Sequence, residues 1–140
     1  MLKFIFFILV ITVTLAAACG SQTSSGVPAG KTIATGQAGN LTATIANDTG
    51  VLRKGKQDFT LTFTDASGKT VDVGSASVNF RMPAMGSMSE MNNRGALTTT
   101  STPGVYKGIV DLEMSGEWQA QIAYEGSLGN GKANLPITAQ

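Results

Sequence analysis

The feature that most constrains the fold of this chain is a short alternation of apolar and hydroxyl or polar residues, repeated along the sequence and closed each time by a turn signal. Phe59, Leu61 and Phe63 alternate with Thr60, Thr62 and Thr64, and the run ends in the DASG of 65–68. Leu41, Ala43 and Ile45 alternate with Thr42 and Thr44 before Asn47, Asp48 and Gly50 break the pattern. Ala76, Val78, Phe80 and Met82 alternate with Ser77, Asn79 and Arg81. A period of two places one set of side chains on one face of a strand, so each run reads as a half-buried β-strand. Further strands are expected over 96–102, stopped by Pro103 and Gly104, over 105–112, over the run that aligns Trp118, Ala120, Ile122 and Tyr124, and around Leu135 and Ile137. No window carries the 3.6-residue period of a long amphipathic helix, and 85–92 reads as a loop or a single turn. About seven short strands with turn signals every ten residues or so predict an all-β domain, an immunoglobulin-like antiparallel β-sandwich, with a closed barrel as the second choice. The Trp118 strand is expected at the centre of the core, because the chain's one tryptophan lies on its inward face.

This pattern occupies 39–140, and what precedes it has another character. Residues 1–18 have one cation, Lys3, an apolar run from Phe4 to Val13, and then small residues, which is the layout of a secretory signal peptide. The apolar run is short for a membrane span, which needs about 20 residues. Cys19 is the single cysteine, so an internal disulfide and an intrachain thiolate cluster are both excluded. LAAAC before Gly20 resembles a bacterial lipobox, which makes Cys19 the expected lipidation site and the first residue of the mature chain. Acyl chains there would anchor the protein to a membrane without spanning it. Such a protein sits on the outer membrane facing the periplasm in a double-membrane cell, or on the outer face of the plasma membrane in a single-membrane one. Residues 19–38, rich in Ser, Gly and Thr, read as a lipidated flexible linker with a short strand at KTIAT.

Composition narrows the function classes. The formal charge is +1, with Lys3 in the segment expected to be removed, so nothing marks the domain for nucleic acid. The chain has no histidine, which takes away the commonest general base and the commonest metal ligand together. There is no phosphate-binding glycine loop, no DxDxDG calcium loop and no nucleophile with a base beside it in sequence. The expectation is a protein that is not an enzyme and has no catalytic residues.

One stretch does carry chemistry. RMPAMGSMSEM at 81–91 holds four of the six methionines, Met82, Met85, Met88 and Met91, spaced three apart. Thioether sulfur is a soft, neutral ligand that selects Cu(I), or Ag(I) as its analogue, over hard cations. It needs no deprotonation and suits an oxidising compartment. Met82 is expected to be extended, because Pro83 disfavours the helical region for the residue before it, and to plug the end of the core. Met85, Met88 and Met91 would then lie on a loop where a turn gathers them around one ion, with Met82 or Met114 as further ligands. Methionine also fills irregular gaps and makes adaptable contacts, so a core lid or a protein-docking loop accounts for the same residues without metal. A ligand pocket elsewhere has only Arg81 and Arg94, beside the loop, to suggest it.

Five features in order resemble the YtkA-like family, which is related to the FixH proteins of cytochrome oxidase assembly: the strand 59–64, the turn 65–68, the MPAMG of 82–86, the PGVY of 103–106 and the MSGEW of 114–118. The resemblance covers roughly 39–139. It implies a small extracytoplasmic immunoglobulin-like domain, commonly lipid-anchored or part of a heavy-metal efflux adaptor, and in several cases found in copper-handling contexts. A copper-handling or efflux protein is the implied partner. In that pattern Met82, Met85 and Met114 are shared positions that can serve the fold, whereas Met88 and Met91 are additions of this chain.

Overall fold

The computed structural model describes residues 30–140; the expected signal peptide and the lipidation site at Cys19 lie outside the described residues. Eight strands follow one another: β1 (Lys31–Ala38), β2 (Leu41–Asn47), β3 (Gly55–Thr64), β4 (Ser75–Met82), β5 (Met91–Thr99), β6 (Val105–Leu112), β7 (Gly116–Gly126) and β8 (Gly129–Ala139). Each alternating run forms a strand with its apolar set inward, as in β6 and β8, where buried and exposed positions alternate almost residue by residue. β1 extends the short KTIAT strand and pairs with β2 across a bulge near Ile33. The DASG signal is a true turn: Gly68 donates its N–H to the Asp65 carbonyl at 3.0 Å, and Asp65 Oδ1 accepts from the Ser67 and Lys69 amides at 2.9 and 3.1 Å.

The strands form a single sheet in the order β1-β2-β3-β6-β5-β4-β7-β8, with every neighbouring pair antiparallel. The immunoglobulin-like sandwich of about seven strands is therefore corrected to an eight-stranded, nearly closed barrel. β5 accounts for the difference. Its first half pairs with β4, from Met82↔Met91 to Val78↔Gly95, and its second half pairs with β6, from Ala96↔Ile109 to Thr99↔Tyr106. The hydrogen-bond ladder thus passes through β5 from one half of the molecule to the other, where a sandwich would keep two separate sheets.

Glycine permits the curl. Phe59 of β3 lies over Gly108 and Gly95, inward positions on β6 and β5, where an added Cβ would stand 2.2 and 3.1 Å from its ring. A side chain at either place would push the ring away and flatten the sheet. At the seam the outer strands approach closely without a shared ladder: an added Cβ on Gly36 of β1 would stand 2.5 Å from Leu135 of β8. The end of β8 is tied to the segment before β3, with Lys54 donating to the Gln140 carbonyl and Gln140 to that of Leu52, both at 2.9 Å.

Inside, Phe63 meets Tyr106 and Tyr124 edge to face toward one end of the barrel, and Phe59 meets Phe80 in the same way, with centroids 5.4 Å apart. Trp118, 1% exposed, occupies the opposite part of the core with Leu52, Leu112 and Met82. That end carries the methionines.

Candidate functional site

The methionine stretch is a β-hairpin and not a helical or 3₁₀ turn. Met85 and Met88 exchange backbone hydrogen bonds, N–H to O at 3.1 Å and 2.9 Å, and close a two-residue turn at Gly86 and Ser87. Gly86 has φ of 57°, while no other residue type takes a positive φ among the described residues. This is the sign pattern of a type II′ turn with glycine first, one of the two turns whose twist matches a hairpin. The turn continues the β4–β5 register, which pairs Met82 with Met91.

The four evenly spaced residues therefore become two cross-strand pairs. Met82 is 2% exposed and belongs to the core, as expected of it; Met91, opposite, is half-buried against the same core. Met85 and Met88 are 55% and 38% exposed at the tip. A hydrogen-bonded antiparallel pair directs both side chains to one side of the ribbon, with Cβ atoms roughly 5.5 Å apart, so these two thioethers are neighbours. Met91 is not in this pair: the structure joins it in register to Met82. Met114, half-buried, packs against the core from the segment between β6 and β7, where its carbonyl accepts from Trp118 Nε1 at 3.1 Å.

The hairpin is braced on its outer face. Arg81 Nε donates to Glu90 Oε2 at 2.9 Å, and the Asn92 amide donates to Glu90 Oε1 at 2.8 Å. The Arg81 bond first, and then the Asn92 bond, hold the Glu90 carboxyl below its ordinary range. Arg81 is thus occupied by an ion pair. Beside the tip, a shallow cavity of about 250 Å³ is lined by Pro83, Met85, Trp118, Pro136 and Ile137 with polar neighbours. A larger groove of about 580 Å³ lies over the outer face of β3 and β6, where Asp48, Asp58 and Lys107 surround Ile109; it shares no residue with the methionine hairpin.

One inward residue escapes the alternation read from sequence. Asn93, between Met91 and Gly95 on the inner face of β5, donates from Nδ2 to the Asp111 carbonyl at 2.7 Å, while its Oδ1 is buried without a partner. Starting the strand at Ala96 leaves Asn93 in a loop. The Gly-Ser turn signal between the methionines contains the missing register.

Among the described residues no group of three or more His, Cys, Asp or Glu side chains is placed to hold a metal. The soft donors among the described residues include five thioethers: the two hairpin pairs, Met82 with Met91 and Met85 with Met88, and Met114. Among those residues, too, no helix is long and apolar enough to cross a membrane.

The fold and the hairpin define a small antiparallel β-barrel with a methionine-bearing turn at one end. Residues 35–123 match the YtkA-like family, a span that runs from β1 into β7 and includes both methionine motifs, and the chain belongs to that family. It has no match among curated proteins.

Proposed function

We propose that this YtkA-like domain is a binding module rather than a catalyst, lipid-anchored through Cys19 on the outer side of a bacterial membrane. It takes up Cu(I) or Ag(I) on its methionine hairpin, for sequestration or for transfer to a copper-handling or efflux protein. The observation that carries this reading is the exposed cross-strand pair Met85–Met88. Two soft donors are held side by side on a hydrogen-bonded turn, at positions where burial gives them no part in the core. Competition of the full-length protein for Cu(I) against a chelator tests it. Replacing Met85 and Met88 together by leucine is expected to reduce the copper retained; unchanged retention would overturn the reading.

A protein-docking role is the second reading, favoured by the apolar hollow that Pro83, Pro136 and Ile137 form beside Met85. Leucine keeps the apolar surface and removes the sulfur, so docking predicts that the same variant retains its partner in a pull-down.

A further inference from the structure

Three methionines belong to or pack against one core: Met82 inside it, Met91 and Met114 partly buried against it. Met91 stands opposite Met82 across the β4–β5 ladder. Carrying the β5–β6 register onward from Ala96↔Ile109 brings Met91 opposite Met114. The ladder itself ends at Ala96↔Ile109, and beyond it the Asn93 amide reaches across to the Asp111 carbonyl. Met91 and Met114 both lie beyond the end of that ladder, partly buried against the same core. The terminal methyl of Met82 lies 3.0 Å from where a Cβ on Gly116 would be, so its thioether reaches the same segment that carries Met114. Trp118 fixes that segment from below through its bond to the Met114 carbonyl. Facing inward beside Met91 is Asn93 Oδ1, a buried acceptor with no donor. An orphaned oxygen of this kind calls for a water or a cation.

We propose that Met82, Met91 and Met114 form a second, enclosed site for a soft monovalent cation, separate from the exposed Met85–Met88 pair, with Asn93 Oδ1 as the polar partner facing the bound charge. This rests on the reading that the chain takes soft monovalent cations. Three neutral thioethers satisfy such an ion without adding charge to the barrel interior, and the low-dielectric surroundings strengthen its attraction to the amide oxygen. The outer pair, open to solvent, suits capture and release, and the inner trio suits retention.

The test is a titration of the full-length protein, labelled with ¹³C at the methionine methyls, with Ag(I) as the probe. The expected result is two equivalents bound and two sets of shifting resonances, Met85 with Met88 and Met82 with Met91 and Met114. The Met85→Leu/Met88→Leu variant should keep one equivalent and the shifts of the inner set. The Met91→Leu/Met114→Leu variant should keep one equivalent and the shifts of the outer pair. If the inner resonances stay still while Met85 and Met88 shift, the enclosed site is refuted and the hairpin reading survives. If the inner set shifts and the outer pair does not, the hairpin reading fails and the enclosed site stands. No shift in either set refutes both. The unsubstituted protein alone decides among these outcomes, so none depends on a variant folding.

Discussion

Met82 and Met85 carry the same side chain three residues apart, and the fold uses them in opposite ways. Met82 is enclosed with Trp118 and Leu112, so truncating it leaves a void that the barrel can only partly close. Met82→Ala is expected to destabilise by about 2–5 kcal/mol, the range for truncating a buried methionine. Met85→Ala, at a surface position, should stay within about 0.5 kcal/mol. Urea unfolding of the two variants checks this contrast, and similar losses for both would contradict the division into core and tip. The distinction was partly legible in sequence: Pro83 after Met82, and the alternation with Val78 and Phe80, placed Met82 in the core. Nothing in the spacing itself placed Met91 inward, because a three-residue interval has no fixed meaning until the turn between two strands is known.

The hairpin is the element on which the functional reading depends. Its register rests on a two-residue turn with Gly86 at positive φ and on the bridge from Arg81 to Glu90. A Gly86→Ala substitution is expected to cost about 1–2 kcal/mol locally, because an L-residue resists the left-handed region. Faster hydrogen exchange at the Met85 and Met88 amides, with the other strands unchanged, is the readout. The Glu90 carboxyl supplies a pH dependence with a definite sign. Its folded pKa is lowered, so its support is complete above the ordinary carboxylate range and is lost as pH falls through the folded value. The tip resonances of Met85 and Met88 should follow that acid titration, and Glu90→Gln should abolish it. A step that survives in the glutamine variant would contradict the assignment. The expected loop, with a turn gathering Met85, Met88 and Met91, gives way here because glycine followed by serine, between residues of good strand pattern, satisfies the II′ turn.

For the whole molecule, most strand positions and inward faces were readable from the alternation, the exceptions being the first half of β5 and the full length of β1, whereas the way the sheet closes was not. An immunoglobulin-like sandwich and a barrel present the same period of two to sequence. What separates them is the sharing of β5 between β4 and β6, together with the glycines that let Phe59 lie across the bend. Gly108 and Gly95 fall in the middle of strands, where turn-based reading gives glycine no role. Gly108→Ala would bring a methyl to 2.2 Å from the Phe59 ring, and overpacking of this kind costs about 1–3 kcal/mol. Pairing it with Phe59→Leu should recover part of that loss, as urea unfolding of the single and double variants would register. Additive losses would show that the two positions do not share the bend.

The central proposal is that methionine sulfur of this barrel is what binds a soft cation. X-ray absorption at the copper edge of the Cu(I)-loaded full-length protein addresses it directly. The expected first shell is mainly sulfur, with no nitrogen and with oxygen contributed by Asn93 Oδ1 alone, and its sulfur count falls when Met85 and Met88 are both leucine. A first shell of nitrogen or oxygen, or a protein that retains no copper against the chelator, would contradict it.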